Sequence, residues 1–309
     1  MADVVISEFM DESAIRAHLG EFTVHYDPKL VDQPQRLQDL LRDCRALIVR
    51  NRTQVHAALL DAAPRLRVVG RLGVGLDNID LQACAAHRIR VIPATGANDL
   101  AVAEYVICAA LILVRRAWFA TADVARGSWP RMKLIGQELA GKRLGLVGYG
   151  SIARLTAHKA LALGMTVAAY DPFVPPQDTA WQNVTQLELP ALLSESDVVS
   201  LHTPLTPQTQ HLIDAGALAR MKRGAVLINA ARGGVVDERA LRDALRDGHI
   251  SGAALDVFES EPLSADDGQP WHDLENVILT PHIAGVTEES NVRVSDVTAR
   301  SVRAALRST

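Results

Sequence analysis

The fold of this chain is decided by residues 148–153, which read Gly148-Tyr149-Gly150-Ser151-Ile152-Ala153. This glycine motif follows an apolar run, 144–147, and opens a helical pattern from Ile152 to Leu163. A second apolar run, 165–170, then ends at Asp171. The order predicts a strand, a glycine turn, a helix and a second strand that closes on an acid, which is the layout of a dinucleotide-binding unit.

Each position of the glycine motif has a physical reason. Gly148 permits the tight turn, Gly150 lets the backbone approach a pyrophosphate, and the small Ala153 lets helix and strand pack closely. The start of the helix offers free N–H groups and a positive dipole end to phosphates. Asp171 lies 21 residues after Gly150, near the spacing of about 20 for the acid that binds the ribose hydroxyls. A carboxylate there repels a 2′-phosphate, so the predicted cofactor is NAD rather than NADP.

The bulk composition is that of a globular protein long enough for two domains. A chain of 309 residues exceeds the size of a typical single core, so two domains are expected. The apolar fraction of 48% and the charged fraction of 22% are ordinary for soluble proteins. The net charge of −4 gives no general attraction to nucleic acid or acidic membranes, so neither is a predicted partner.

Cysteine usage and hydropathy bear on the location of the protein. Cys44, Cys84 and Cys108 are odd in number and lack the spacing of metal ligands, so we predict reduced thiols, no bound metal and a cytoplasmic protein. The N-terminus has an early acid and no basic region, so no signal peptide is expected. The most apolar segment, Leu100 to Val114, contains Glu104 and falls short of the roughly 20 residues of a membrane span. It predicts a long buried helix.

Short apolar runs alternate with helical patterns along the chain, which predicts an α/β protein with parallel sheets. The first third predicts helices that include Pro34–Arg42 and Gln54–Leu60, and strands at Val4–Ser7, Thr23–Tyr26, Ala46–Val49, Arg67–Gly70 and Val91–Ile92. A long helix is expected from Asn98 to Phe119, and a last helix with Thr287 as its N-cap. Between them we predict six strands, near Leu144–Val147, Thr166–Tyr170, Val198–Leu201, Ala225–Asn229, Gly252–Leu255 and Val277–Leu279.

The place of the glycine motif near the middle of the chain sets the predicted domain organisation. We predict two Rossmann-like or flavodoxin-like domains with parallel sheets, one inserted into the other. Residues 97–286 form the predicted NAD-binding Rossmann domain. Residues 1–96 and 287–309 form the predicted substrate-binding domain, to which the last helix returns.

Six stretches of the sequence resemble the D-isomer-specific 2-hydroxyacid dehydrogenase family, in the order that the family has them. The resemblance covers nearly the whole chain. Six matches in the order of the family are not expected by chance. The stretches are 70–80 (Gly70-Arg71-Leu72-Gly73-Val74-Gly75-Leu76-Asp77-Asn78-Ile79-Asp80), the glycine motif, 201–206 (Leu201-His202-Thr203-Pro204-Leu205-Thr206), 229–234, 255–262 and 280–285.

By this resemblance the catalytic set is Arg232, Glu261 and His282. A planar guanidinium such as that of Arg232 can bind the carboxylate of a 2-oxo acid through two hydrogen bonds. Reduction delivers a hydride to the carbonyl carbon and a proton to its oxygen. His282 can supply that proton because imidazole titrates near working pH. Glu261 is expected to orient the histidine ring, and in the oxidative direction His282 acts as the base.

The resemblance also assigns residues to NAD. A polar group near the nicotinamide amide would fix which face of the ring delivers the hydride. The resemblance places the backbone amides of Ser151 and Ile152 on the pyrophosphate, Thr203 and Pro204 beside the adenosine half, and Ala230 and Asp256 near the nicotinamide amide.

Two arginines and a glycine loop in the first third bear on the substrate. The loop Gly73-Val74-Gly75 would present backbone N–H groups to the substrate carboxylate as an anion-binding nest, with Asn78 as its brace. Arg50 and Arg71 match positions that face the distal phosphate in phosphoglycerate dehydrogenases. We hypothesise that they bind a second anionic group of the substrate, beyond the carboxylate. The alternative is that they form surface or interdomain salt bridges.

That hypothesis predicts that the substrate is a three-carbon acid with two anionic groups. The block Ile6-Ser7-Glu8-Phe9-Met10, together with residues 71–75, looks most like the family members that act on (S)-sulfolactate. We therefore rank 3-sulfolactate first and 3-phosphoglycerate second. Reduction of hydroxypyruvate or glyoxylate ranks third, because those substrates leave Arg50 and Arg71 without an anion to bind.

The resemblance carries expectations about partners and motion as well. Relatives are usually homodimers joined through the cofactor domains, with the segment from Trp129 to Leu139 reaching across, and their domains close about hinges here expected near 94–98 and 284–287. A different class, the NADH-sensing co-repressors, shares the fold and can keep the catalytic residues. The compact chain ends argue against that class and against a C-terminal regulatory extension. Formate dehydrogenases pair the histidine with Gln, so Glu261 argues against their activity.

Overall fold

The computed structural model describes residues 2–116 and 120–308 and divides the chain into two compact units. The first unit contains the residues up to Asn98 and those from Val286 onward, and the second unit spans Asp99–Gly285. The second unit is therefore an insertion in the sequence of the first. Each unit is built around its own parallel sheet, which confirms the predicted α/β fold class with two parallel-sheet domains.

The first unit has a five-stranded sheet in the order β2-β1-β3-β4-β5, and every neighbouring pair is parallel. The three central strands are almost wholly buried and apolar, as expected for strands covered on both faces. The elements are β1 (Val4–Ile6), α1 (Glu12–Leu19), β2 (Val24–Tyr26), α2 (Pro34–Leu41), β3 (Ala46–Val49), α3 (Ala57–Asp61), β4 (Val68–Arg71), α4 (Leu81–Ala86) and β5 (Arg90–Pro93), with a 3₁₀ turn at Leu30–Asp32.

The second unit has a seven-stranded parallel sheet in the order β12-β11-β10-β9-β6-β7-β8. The chain first forms β6, β7 and β8 toward one edge of the sheet. It then forms β9, β10, β11 and β12 toward the other edge. The elements are α5 (Asp99–Arg115), α6 (Thr121–Ala125), β6 (Arg143–Val147), α7 (Ser151–Ala162), β7 (Thr166–Tyr170), β8 (Thr185–Gln186), α8 (Leu189–Glu195), β9 (Val198–Leu201), α9 (Ala215–Arg220), β10 (Ala225–Asn229), α10 (Glu238–Arg246), β11 (Ile250–Leu255), α11 (Ala265–Gly268) and β12 (Val277–Leu279), with 3₁₀ turns at Thr179–Trp181 and Gln269–Trp271.

Three sequence predictions about these elements were wrong in detail. The sheet predicted with six strands has a seventh, β8, which is two exposed polar residues long and carries no apolar pattern. The helix predicted from Gln54 begins only at Ala57, because Val55 instead forms a parallel bridge with Ile79. The helix predicted to reach Phe119 ends at Arg115, since Arg116 adopts a left-handed φ of 56°; Phe119 itself lies outside the described residues.

The apolar segment Leu100 to Val114 lies within α5, which is buried along most of its length, as predicted. Across residues 2–116 and 120–308, no helix combines the length and the apolar character that a bilayer crossing requires.

The last helix, α12 (Glu288–Arg307), packs on the sheet of the first unit. Thr287 is its N-cap, as predicted: its hydroxyl accepts from the Ser290 amide at 3.0 Å, and Ser290 reciprocates in a capping box. The approach to β4 depends on Gly70. A Cβ at Gly70 would lie 2.6 Å from Val302 Cγ2 and 3.0 Å from Thr298 Cγ2, so a larger residue fits only if these side chains or the helix shift.

We expect Gly70→Ala to lower the free energy of unfolding by about 1–3 kcal/mol through overpacking against α12. Val302→Ala removes the atom that the new methyl group meets, so the double variant should be less destabilised than the sum of the two single effects. Urea denaturation followed by circular dichroism measures all three. Gly216→Ala serves as the control, because a Cβ there meets only an ordinary contact at 3.4 Å. Additive effects of Gly70→Ala and Val302→Ala would contradict this packing.

Candidate active site and cofactor site

The glycine motif forms the turn between β6 and α7, at the point where the strand order of the second sheet reverses. Gly148 has a left-handed φ of 90°, and a Cβ there would lie 2.7 Å from the His202 carbonyl oxygen. Only glycine lets the loops after β6 and β9 approach so closely. In open parallel sheets the crevice at such a switch point is where ligands bind.

The start of α7 is open to a phosphate. Gly150 is the N-cap and supplies no side-chain hydrogen bond to the first turn, where the amides of Ser151 and Ile152 lie. A Cβ on Gly150 would meet no atom of the described chain within 4 Å. Ala153 is fully buried against the sheet, as a small third residue must be. The turn therefore has the free N–H groups and the space that a pyrophosphate needs.

Asp171 stands at the carboxyl end of β7, next to this turn. One of its carboxylate oxygens accepts from the Tyr149 amide at 2.8 Å, and the other accepts from the Phe173 amide at 2.8 Å. These bonds fix the carboxylate beside the glycine motif, while its remaining lone pairs and partial exposure leave it able to accept from ribose hydroxyls.

The other residues assigned to NAD lie along the same edge of the sheet. Thr203 and Pro204 follow β9, and Ala230 follows β10. The Thr203 hydroxyl oxygen is buried, and it has no hydrogen-bond partner within the described part of the chain. Burying a hydroxyl without a partner is unfavourable, so this oxygen fits a site in which a bound molecule completes the hydrogen bonding.

The three residues of the predicted catalytic set follow three neighbouring strands. Arg232 comes shortly after β10, Glu261 after β11 and His282 after β12, and these strands are adjacent and parallel. Their carboxyl ends therefore meet at one edge of the sheet, the edge that carries the glycine motif. Gly233 tightens the arrangement, because a Cβ there would clash with the backbone of Phe258 and Glu259.

His282 and Glu261 form a hydrogen-bonded pair. Nδ1 of His282 lies 2.8 Å from Glu261 Oε2, while Glu261 Oε1 accepts from the Phe258 amide at 3.0 Å. A carboxylate only accepts, so Nδ1 carries a proton and Nε2 is the ring nitrogen left for another partner. The His282 side chain is 47% exposed, which gives Nε2 access to a small molecule.

Asp256 makes contacts that the sequence did not predict. Its carboxylate is 1% exposed and accepts from the amides of Ile283 and Ala284 at 2.8 and 2.7 Å, and from the Thr280 hydroxyl at 2.6 Å. It therefore anchors both sides of His282. The nicotinamide contact assigned to Asp256 by resemblance stays a prediction.

The turn that carries Arg232 is shaped by Asn229, another residue without a predicted role. The buried Asn229 side chain donates to the Arg232 carbonyl at 2.9 Å and accepts from the Ala231 amide at 3.1 Å. The Arg232 guanidinium donates to the Ala231 carbonyl at 2.6 Å and is half-buried. The guanidinium is thus held against its own turn at the sheet edge.

In the first unit, the loop after β3 is fixed by a buried carboxylate that was not among the predicted site residues. Glu8 follows β1, is 4% exposed, and accepts from the amides of Arg50, Arg52 and Thr53 at 2.8, 3.1 and 3.0 Å. Strands β1 and β3 are neighbours at the reversal of the order 2-1-3-4-5, which is the switch point of a flavodoxin-like sheet. An acid directly after a buried strand was the signal available in the sequence.

Arg50 is held at this switch point. Its guanidinium donates to Asn291 Oδ1 at 2.7 Å and lies 6.0 Å from the centre of the Phe9 ring. Burial lowers the pKa of Arg50 from its ordinary value, and the Glu8 carboxylate acts in the opposite direction. Arg50 remains a cation, and it is one that has lost much of its hydration.

Arg71 and the glycine loop lie on the next strand. Arg71 ends β4 opposite Val49 of β3, and its guanidinium donates to the Leu72 carbonyl at 2.9 Å. A Cβ on Gly73, whose φ is 140°, would clash with that guanidinium. The Arg71 guanidinium therefore lies against Gly73, the first residue of the predicted Gly73-Val74-Gly75 nest.

Asn78 braces a different segment from the one predicted. Its buried amide donates to the carbonyls of Arg50 and Thr53, at 3.3 and 2.7 Å, rather than to the 73–75 loop itself. Asn78 thereby connects the segment that follows the 73–75 loop to the loop that carries Arg50. Arg50, Arg71, the nest and Asn78 all lie at the carboxyl edge of the first sheet.

Comparison with known proteins identifies the family of this chain. The sequence pattern described as D-isomer specific 2-hydroxyacid dehydrogenase, NAD binding domain, matches residues 107–284. The chain belongs to this dehydrogenase family. It is therefore an NAD-dependent oxidoreductase that interconverts a 2-hydroxy acid and its 2-oxo acid by hydride transfer.

Individual dehydrogenases of the family are similar over the full chain. The (S)-sulfolactate dehydrogenase of Chromohalobacter salexigens is 55% identical over 99% of this chain and 99% of that protein. The D-3-phosphoglycerate dehydrogenase of Mycobacterium tuberculosis is 40% identical over 98% of this chain, which spans only 56% of that protein. A crystal structure of D-lactate dehydrogenase from Aquifex aeolicus, complexed with NAD and lactic acid, is 30% identical with a TM-score of 0.85, covering 99% of this chain and 96% of that one.

We expect Glu8→Gln to raise KM for the 2-oxo acid about tenfold, because an amide offers one acceptor oxygen to three backbone donors and releases the Arg50 loop. The dissociation constant of NADH should not change, since none of the residues assigned to NAD belongs to the first unit. Asp32→Asn is the matched control: it makes the same acid-to-amide change on a surface partner of Arg52 and should have little effect. Steady-state kinetics that show an unchanged KM for Glu8→Gln would rule out this anchoring role.

Proposed function

We propose that this dehydrogenase interconverts (S)-sulfolactate and sulfopyruvate. The supporting observation is the pair of guanidinium groups, Arg50 and Arg71, held at the carboxyl edge of the first sheet beside an anion-binding nest. A 2-oxo acid with one carboxylate needs one arginine, and Arg232 of the second unit is suited to it. Two further half-buried cations at this edge suit a substrate that carries a second anion.

The sulfonate is proposed as that second anion. It offers three acceptor oxygens, as a phosphate does, but carries less charge. The full-length similarity to an (S)-sulfolactate dehydrogenase, 55% against 40% for the mycobacterial phosphoglycerate enzyme, supports this order. D-3-Phosphoglycerate is the second candidate, because the same guanidinium groups suit a phosphate. Hydroxypyruvate and glyoxylate come third.

The geometry of the second unit supports the proposed catalytic roles. The hydride for the carbonyl carbon of the 2-oxo acid would come from NADH when it is bound. His282 donates the proton at Nε2 to the carbonyl oxygen, because Nδ1 is engaged by Glu261. Glu261 holds the ring in this tautomer and stabilises the imidazolium. Arg232 binds the substrate carboxylate, and in oxidation His282 takes the hydroxyl proton at the same nitrogen.

Residues around the glycine motif are proposed to hold NAD. The amides of Ser151 and Ile152 would donate to the pyrophosphate, and Asp171 would accept from the ribose hydroxyls. Thr203 and Pro204 would flank the adenosine half, and Ala230 would lie near the nicotinamide. On these assignments, residues 1–96 and 287–309 are proposed as the substrate-binding domain and residues 97–286 as the NAD-binding domain.

NADH oxidation by the purified protein tests the substrate, measured with sulfopyruvate, 3-phosphohydroxypyruvate, hydroxypyruvate and glyoxylate. We expect the highest kcat/KM with sulfopyruvate, and a loss of about 100-fold or more in Arg50→Ala and Arg71→Ala, because a charged hydrogen bond to the second anion is removed. Hydroxypyruvate turnover should be nearly unaffected by either substitution.

Each other result has a distinct meaning. A preference for 3-phosphohydroxypyruvate, lost in the same variants, would keep the second anion site and replace its ligand. If glyoxylate is turned over as well as sulfopyruvate, and neither Arg50→Ala nor Arg71→Ala changes its turnover, the second anion site would be ruled out. Bound NADH without turnover of any of the four would favour the co-repressor class.

We further propose that the protein is a cytoplasmic homodimer joined through its second units. The support is a run of large apolar side chains in the segment 129–139: Trp129, Met132 and Ile135 are 79%, 78% and 61% exposed, which is unusual for a surface in contact with water.

Light scattering tests the dimer. The wild-type protein should have twice the chain mass of 33.4 kDa, and Met132→Glu should shift it toward the monomer, because a charge placed in an apolar interface is unfavourable. Leu81→Glu is the control, an exposed leucine on α4 of the first unit, and should leave the mass unchanged. A monomeric wild-type protein would contradict the proposal.

A further inference from the structure

A chain of hydrogen bonds leads from the middle of α5 to the loop of His282. The Tyr105 hydroxyl lies 2.6 Å from Thr280 Oγ1, and Thr280 Oγ1 lies 2.6 Å from Asp256 Oδ1. Asp256 in turn accepts the amides of Ile283 and Ala284. All of these residues belong to the second unit.

The donors in this chain can be assigned. Asp256 receives two amide hydrogens and the Thr280 hydroxyl, so its oxygens act only as acceptors. Thr280 has a single hydroxyl hydrogen and donates it to Asp256. Thr280 can therefore only accept from Tyr105, and the Tyr105 hydroxyl is the donor at the start of the chain. Burial raises the pKa of Tyr105 to about 12, which keeps this hydrogen in place at any working pH.

His282 needs such support because its backbone is in an unfavourable conformation. Its φ of 56° lies in the left-handed region, which non-glycine residues adopt infrequently. Its amide donates to the Thr280 carbonyl at 3.0 Å, so Thr280 is bonded to the turn directly through its backbone and, by way of Asp256, through its side chain. The bonds from Asp256 to the next two amides hold the turn from the other side.

We propose that Tyr105 and Thr280 are positioning residues for the reaction, which act through Asp256 to hold the His282 turn at the place where Nε2 meets the substrate oxygen. The inference rests on the proposed acid–base role of His282. It assigns a role in the chemical step to a side chain of α5, a helix that contributes none of the predicted site residues.

The geometry explains why the hydroxyl groups matter more than the bulk of either side chain. Without the hydrogen bond from Tyr105, the Thr280 hydroxyl is no longer fixed. It can then rotate away from Asp256 and donate to another acceptor. Asp256 then loses one of three donors in a buried place, where water cannot replace it readily. The ring of Tyr105 and the methyl group of Thr280 would still fill their space.

The test uses isosteric variants of the full-length protein. Tyr105→Phe and Thr280→Val should each lower kcat about 3- to 10-fold, as expected for one misplaced hydrogen bond, while the dissociation constant of NADH and the urea midpoint stay near wild type. The double variant should be no worse than the more affected single one, because both break the same chain. Thr280→Ser keeps the hydroxyl and should recover most of kcat.

A solvent isotope effect separates positioning from general damage. When His282 is misplaced, proton transfer becomes slower relative to other steps, so the deuterium-oxide effect on kcat should rise in Tyr105→Phe and Thr280→Val. A merely structural role would leave that effect at its wild-type value.

His282→Gln distinguishes failure of this inference from failure of the proposed function. If His282→Gln abolishes turnover while Tyr105→Phe and Thr280→Val keep wild-type kcat and isotope effects, the hydrogen-bond chain has no positioning role and the proposed chemistry stands. If His282→Gln retains turnover, the acid–base role itself is wrong. Thr280→Ser as impaired as Thr280→Val would also overturn the inference, because the hydroxyl would then not be the active feature.

Discussion

The parallel direction of every strand pair is the constraint on which the site residues of both units depend. Because all strands of a sheet run the same way, the loops that follow them open at one edge. Residues far apart in sequence, such as Gly148, Arg232 and His282, thereby share one edge of the second sheet, and Glu8, Arg50 and Arg71 share one edge of the first. At the switch point, the chain continues from two neighbouring strands toward opposite sides of the sheet. The loops that follow these strands therefore diverge and leave room for a ligand.

Three carboxylates hold these loops in place, and each stands just after a strand. Glu8 accepts three backbone amides, Asp171 accepts two, and Asp256 accepts two together with a hydroxyl. Charged hydrogen bonds to N–H groups offset the unfavourable burial of the anion and are stronger than neutral ones. The acids therefore act mainly on the backbone, while Arg50, Arg71 and Arg232 provide the positive groups at the loops. Glu261 differs from the three, since one of its oxygens is used on His282.

Local motifs in the sequence were sufficient for the fold class and for the glycine turn, because a turn, a strand end or a cap is specified by residues a few positions apart. The His282–Glu261 pair, 21 residues apart, was predicted through the family resemblance. The anchoring roles of Glu8 and of Thr280 with Tyr105 were not predictable in that way: the Glu8 partners lie 42 to 45 residues away, and Tyr105 is 175 residues from Thr280. The end of α5 was missed for another reason, since nothing in the apolar pattern marks the left-handed Arg116.

The charges around Arg50 bear on the choice between sulfonate and phosphate. The guanidinium is partly desolvated and its hydrogen-bond partner is the neutral Asn291, so an anion that approaches it gains more than it would in water. The Glu8 carboxylate lies behind the same loop and repels any added negative charge. A sulfonate carries one charge, whereas a phosphate monoester carries about 1.5 to 2 at pH 7, so the repulsion by Glu8 is larger for phosphate. On the proposed function, the acid that fixes the Arg50 loop thus also shifts the preference of the site toward the less charged anion.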